Sequence, residues 1–300
     1  MLVPAAPVGA PAHGGRYPGD PHWHTIASSR MTVFDTISET YDETRQADER
    51  IVARLLKHLH LPSGSEIADI GAGTGSYSTA LADAGFRVRA IEPSAAMRRR
   101  ARRHADVQWL AGAAEHLPLA DASVDGIVST LAVCHFASTP KAIAEMARVS
   151  RGKSIVVFTF DCDVGQRAWL YEYFPFLWDP FAHLPSPARL ARMLTDATGC
   201  STDIEAFLLP PDLKDNFAAA AWRRPQSYLE EGYRANISSF HEAQPELVAQ
   251  GVRRLAEDLA TGAWRERHTA VLALAELDAG YRFVFTRLQA TRAVLSRRLR

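Results

Sequence analysis

With 300 residues, 47% of them apolar, the chain is long enough to bury a large α/β core and a cap besides. Its 34 basic and 34 acidic side chains cancel to zero formal charge, which excludes a global positive field recruiting nucleic acid or an anionic membrane and favours a small, mostly neutral substrate. Cys134, Cys162 and Cys200 are scattered without C-x-x-C spacing; that excludes a disulfide framework and a cysteine metal site, and predicts free thiols in a reducing, cytoplasmic compartment.

In chain order, residues 1–30 are rich in Pro, Gly, Ala and His and lack the charged start and apolar run of a signal peptide, which predicts a disordered tail. His13, His22 and His24 lie in that tail, and no metal site is expected. No segment reaches a membrane-spanning length of apolar residues, so no membrane partner is expected. From Asp35 to His60 the pattern predicts one or two amphipathic helices, ended by Pro62-Ser63-Gly64. Strands then alternate with helices. The strands are predicted near Glu66–Ile70, Arg87–Glu92, Val107–Leu110, Val124–Thr130 and Ser154–Phe160, and the helices near Thr74–Ala84, Ser94–His104 and Pro140–Val149. Such alternation implies a parallel, doubly wound sheet with helices on both faces and a ligand at the carboxyl ends of the strands. Beyond Phe160 the alternation stops. An aromatic-rich stretch, Trp169 to Phe181, precedes a helix near Pro187–Thr198, a strand near Asp203–Leu209, a helical region to about Ala279 and a last strand over Tyr281–Leu288.

The stretch Ile67 to Gly75, IADIGAGTG, is an apolar strand that runs through an acid, Asp69, into Gly71, Gly73 and Gly75. Glycines let the backbone turn sharply and approach a ligand, and the free N–H groups at the start of the next helix suit an anion. A dinucleotide loop would read G-x-G-x-x-G, but position 76 is Ser. The carboxylate of the methionine end of S-adenosylmethionine (SAM) fits that pole, and the spacing favours SAM over NAD. Glu92 ends the second strand 21 residues after Gly71, where doubly wound folds place an acid on the ribose hydroxyls. Asp69 either anchors the cofactor's amino group or holds the loop by hydrogen bonds.

Together, FDTISETYDETR, IADIGAGTG, AIEPSAAM, GAAEHLPLADASVD and STLAVCHF resemble the class I SAM-dependent methyltransferases of the ubiquinone/menaquinone-biosynthesis type, type 11, over about Phe34 to Phe160. The resemblance implies a Rossmann-like, mostly parallel sheet with the last strand antiparallel and a helical C-terminal cap. The expected organisation is a tail (1–30), a SAM-binding core (31–160), a mainly helical substrate cap (161–280) containing one core strand near 203–209, and a final strand and tail (281–300). It also implies that Met97 packs on the adenine, unless it is an ordinary core methionine, and that Ala113, Ala114 and Glu115 meet the adenine edge. Ala113 stands where the family usually has an acid, so a backbone group or Glu115 must substitute. Pro93 and Thr130, within two of these motifs, complete the expected cofactor contacts.

Methyl transfer from a sulfonium needs in-line alignment and, for a weak nucleophile, a base. His135, just past the fourth strand, is the first candidate; Tyr41, on a helix that the resemblance lays over the cofactor, is the second; Asp161 and Asp163 follow the fifth strand at the same rim. Trp169, Tyr173, Phe174, Trp178 and Trp222 are the candidates for walling an acceptor pocket, the alternative being the core of the cap. Pro210 to Leu229, PPDLKDNFAAAAWRRPQSYL, resembles a segment of stand-alone bacterial methyltransferases whose commoner form reads HDCTDGF before the tryptophan; Pro211, Leu213, Lys214 and Asn216 replace its His, Cys, Thr and Gly.

Five arginines in Arg98–Arg103 spread around a helix as a solvated face rather than as an RNA-binding strip. The expected protein is therefore a cytoplasmic, bacterial SAM-dependent methyltransferase acting on a small, aromatic or specialised-metabolite acceptor, as a monomer or homodimer, without nucleic acid. The alternatives are an RNA-modifying methyltransferase and an inactive SAM-binding regulator.

Overall fold

The structure is a computed structural model, and it describes residues 45–181 and 183–287 of the chain. Tyr41 and the histidines of the tail lie outside those residues. Among the described residues, seven strands form one sheet: β1 (Glu66–Ile70), β2 (Arg87–Ile91), β3 (Val107–Leu110), β4 (Val124–Thr130), β5 (Ser150–Phe160), β6 (Thr202–Ala206) and β7 (Tyr281–Thr286). Their order is β3-β2-β1-β4-β5-β7-β6; β1 to β5 pair in parallel, and β7 runs antiparallel to both β5 and β6. This is the Rossmann-like, mostly parallel sheet that the sequence predicts.

Near-continuous apolar runs make the central strands, because both faces are covered. On one face, α1 (Glu49–Leu59) brings Ile51, Leu55 and Leu59, and α2 (Ser76–Asp83) brings Tyr77 and Leu81. Ile143, Met146 and Val149 of α4 (Thr139–Val149) and Leu190 and Leu194 of α7 (Pro187–Thr198) cover the other. Thus α7, although it falls inside the expected cap range, belongs to the sheet layers.

Between β2 and β3, α3 (Ala95–Arg100) stops four residues short of the predicted end at His104. Ala101 is extended, and the Arg102 N–H donates to the Thr74 carbonyl at 3.0 Å, which draws the chain back to the loop after β1. The arginine run is therefore only half helical. Arg98 folds inward to donate to the carbonyls of Glu92 and Pro93, while Arg99 and Arg103 stay exposed.

The short helix α5 (Cys162–Gly165) packs on the sheet-side core through Cys162, and a separate aromatic cluster joins α6 (Leu170–Tyr173) to the segment around Pro225–Leu229 and to α8 (Glu231–Arg234), α9 (Ser238–Glu242), α10 (Pro245–Thr261), α11 (Ala263–Arg267) and α12 (Thr269–Leu272). The helical region expected up to Ala279 is thus five helices ending at Leu272, and Phe207 to Arg224 is mostly irregular. That irregular segment is tied to α1 instead. Asp48 caps α1 by accepting from Arg50 N at 2.9 Å, and its other oxygen accepts from Lys214 N at 3.0 Å; Arg50 also reaches Asp212 at 2.7 Å. Among the described residues, no helix is long and apolar enough to cross a membrane.

Candidate active site

All three glycines after β1 adopt positive φ: 77° at Gly71, 59° at Gly73 and 88° at Gly75. Side chains are excluded at two of these positions by space as well as by torsion. A Cβ on Gly71 would stand 2.5 Å from the Ala132 Cβ, and one on Gly75 would stand 2.5 Å from the Trp109 ring. Gly75 then opens α2, whose first N–H groups face the loop. The turn is held against β2 by Gly71 and Ala72, which donate to the Ile91 carbonyl at 2.9 and 3.1 Å.

Glu92 is the hub on the other side. Its Oε2 accepts from Gly73 N at 3.0 Å and its Oε1 from Ser94 N at 2.8 Å, which fixes the carboxylate beside the glycine turn and at the start of α3. A carboxylate offers about four acceptor positions, so roughly two remain for a diol. Burial raises the Glu92 pKa, against the lowering effect of those two N–H groups. Asp69 sits one layer deeper, 2% exposed, and accepts from the Ser78 hydroxyl at 2.6 Å. It holds α2 through that bond and also lines a small pocket beside the loop.

Burial pushes the Asp69 carboxyl up to about 6 from its ordinary 3.8, opposed only by the Ser78 bond. Its protonated form adds stability that is fully present below about 3.8 and is lost as pH rises through about 6. Asp69→Asn, which cannot ionise, is expected to raise the thermal midpoint of the ligand-free chain at pH 8, by an amount equivalent to about 1–3 kcal/mol. That gain should shrink toward zero by about pH 4.5. Melting curves of both proteins across that range test it, and a pH-independent gap would remove the burial argument.

A cavity of about 260 Å³ opens at the carboxyl ends of the strands. Gly71, Gly73, Glu92, Pro93 and Met97 line one end of it, and Ala113, Ala114, Glu115 and Thr130 also reach it. Met97 is buried in α3 and still contributes to the wall, so packing and lining are not alternatives for it. Glu115 is partly committed, since its Oε1 accepts from Ser138 N at 2.9 Å at the start of α4. His135 lines the cavity from the single 3-10 turn Val133–His135 that follows β4.

Other predicted residues are elsewhere. Asp161 caps α5 by accepting from Asp163 N at 3.2 Å and faces Arg282 at 3.8 Å; neither Asp161 nor Asp163 lines the cavity. Trp169, Tyr173, Phe174 and Trp222 are buried and also absent from its wall. Trp169 donates to the Trp222 carbonyl at 2.8 Å, Trp222 to the Leu209 carbonyl at 3.1 Å, and Tyr173 to Asp258 at 2.7 Å, so the polar atoms of these three are used inside the cap or in the core beneath it. Trp178 stands behind the wall, 6.3 Å from the ring of Phe160. The aromatic rings lining the cavity are instead Phe136 and a group of Phe160, Phe181, Phe217 and Tyr281 joined by ring contacts of 4.4–5.2 Å. Asn236, Ile237, Ser238 and Ser239 add a cap contribution. These residues come from separate elements with no local motif. Arg45, which also lines the cavity, did carry a signal: it closes the FDTISETYDETR stretch.

The profile of the methyltransferase domain family matches residues 68–158. Across 127 residues the chain is 36% identical to a malonyl-[acyl-carrier protein] O-methyltransferase of Pectobacterium atrosepticum, covering 42% of this chain and 50% of that one. Over 124 residues it is 35% identical to the ubiquinone/menaquinone biosynthesis C-methyltransferase of Rubrivivax gelatinosus, covering 39% and 49%. The chain thus spans about half the length of these curated relatives. A crystal structure described as a methyltransferase from an antibiotic biosynthesis pathway of Anabaena variabilis is similar over 82% of this chain and 99% of its own, with 48% identity and a TM-score of 0.80. The chain belongs to the class I SAM-dependent methyltransferases of type 11. Its cofactor is SAM. The acceptor positions left on Glu92 have the chemistry to take the ribose diol of such a ligand.

Proposed function

We propose that this methyltransferase transfers the SAM methyl group to a small, uncharged, largely apolar acceptor held in the aromatic half of the cavity. The observation that carries the reading is the continuity of the cavity. Its cofactor end carries Glu92 and the glycine turn, and its far end is walled by Phe160, Phe181, Phe217 and Tyr281, with no ionic side chain among those four. An unpaired charge would be costly to desolvate there, whereas a flat apolar molecule gains by burial. Relatives named for quinone and antibiotic biosynthesis support a small acceptor.

Bound SAM supplies an electrophilic methyl group. On this reading Glu92 accepts the ribose hydroxyls, Met97, Pro93, Ala113, Ala114 and Glu115 surround the adenine, and Asp69, Gly71, Gly73, Gly75 and Thr130 shape the turn beneath the amino-acid chain. The cap residues Ile237 and Phe217 keep water from the reacting atoms. His135 is the group of the wall that can take a proton from an acceptor hydroxyl or amine.

Calorimetric titration should show one SAM or S-adenosylhomocysteine bound per chain, and metabolite screening should find products heavier by one methylene. A folded chain that takes up neither ligand would end the proposal. His135→Ala is expected to lower kcat about a hundredfold while leaving S-adenosylhomocysteine affinity within about threefold. An unchanged kcat would remove His135 from proton transfer.

A further inference from the structure

We infer that Asp215, carried by the cap, is a ligand for the charged amino-acid end of SAM, so that docking of the cap segment and occupancy of the cofactor site form one linked equilibrium. The inference rests on SAM being the ligand of the glycine turn. It starts from the small pocket beside that turn, which shares Arg45, Gly71, Gly73 and Thr130 with the main cavity. Among the described residues, three ionic side chains line it: Arg45, Asp69 and Asp215. A guanidinium with two carboxylates matches a zwitterion, which carries an ammonium and a carboxylate on one carbon. The same set would repel a pyrophosphate.

Asp215 is placed there by long-range structure. It is 1% exposed, its Oδ1 accepts from Arg45 Nε at 2.5 Å, and its Oδ2 accepts from the Tyr77 hydroxyl at 3.0 Å. Each oxygen thus keeps about one acceptor position, enough for an ammonium. The backbones of Arg45 and Asp215 also form an isolated antiparallel bridge, 170 residues apart in sequence. With the bonds from Lys214 and Asp212 to the start of α1, this bridge fixes the segment against the core. Two and three residues further on, Phe217 and Ala218 line the main cavity. One short segment therefore touches both the cofactor's charged end and the acceptor's wall. A ligand that stabilises its docked position also shapes the acceptor site, and the coupling acts equally in reverse.

The test compares S-adenosylhomocysteine with 5′-methylthioadenosine, a thioether nucleoside that lacks the amino-acid end. Asp215→Asn in the full chain should weaken S-adenosylhomocysteine about ten- to hundredfold and leave methylthioadenosine within about twofold. In the unmutated chain, S-adenosylhomocysteine should slow hydrogen exchange across Pro210 to Trp222 more than saturating methylthioadenosine does, a reading that needs no variant to fold. Equal losses for both ligands, an unchanged S-adenosylhomocysteine affinity, or equal protection by the two ligands would each overturn the assignment. If the unmutated, folded chain bound neither nucleoside, the SAM reading itself would fall and this inference with it.

Discussion

Gly71→Ala is expected to lower the thermal midpoint by about 5–15 °C and to reduce SAM affinity a hundredfold or more. Two costs combine. A non-glycine residue at φ 77° is strained by about 1–2 kcal/mol, and its Cβ would press on the Ala132 Cβ at 2.5 Å, an overpacking worth about 1–3 kcal/mol more. Relief requires the turn to move off the β4 exit, which carries Gly73 away from Glu92 and opens the floor of the cavity. Gly64→Ala is the internal control. Its φ is 87° but nothing lies within 4 Å of the added carbon, so only the torsional part should appear and SAM binding should survive. Parallel melting curves and titrations separate the two parts. If Gly71→Ala and Gly64→Ala lost equal stability and kept equal affinity, the close approach to Ala132 would not matter.

Glu92→Ala should weaken SAM and S-adenosylhomocysteine about a hundredfold or more, since on the proposed reading two charge-assisted hydroxyl bonds are lost from a buried site. Part of that loss is indirect, because the Gly73 and Ser94 N–H groups lose their acceptor and the turn loosens. A ligand lacking one ribose hydroxyl distinguishes the parts. The unmutated chain should discriminate against it by about tenfold, whereas Glu92→Ala should bind it and the parent ligand almost equally. Retained discrimination in the variant would assign the ribose to another group.

What could be read from the sequence is what local chemistry encodes. The strand over Glu66–Ile70, the glycine turn and the acid at the end of β2 lie within 27 residues, and each constrains its neighbours through backbone geometry. The helix over Ser94–His104 was half legible: its start follows from the Ser94 cap, but its early end depends on the Thr74 carbonyl. The aromatic end of the cavity was the least legible. Trp169, Tyr173, Phe174 and Trp222 have the same aromatic signature as Phe160, Phe181, Phe217 and Tyr281, yet the first group fills the interior of the cap or the core beneath it and the second faces the cavity. Burial against protein and burial against a ligand select the same residue types. Asp161 and Asp163 stand at the right strand end, but the short helix that Asp161 caps holds them out of the cavity. The Arg45–Asp215 pair is invisible to any local pattern.

The placement of β7 bears on how the chain reaches this state. Residues 281–286 are the last described element, yet they are inserted between β5 and β6 rather than added at a margin. Until they emerge from the ribosome, both neighbours present unpaired backbone edges, and Phe158 lacks the Phe283 ring that stacks on it at 4.5 Å. The nascent chain therefore carries an open slot until residues 281–286 have been made, and closing that slot is a sequence-distant event of the slow kind.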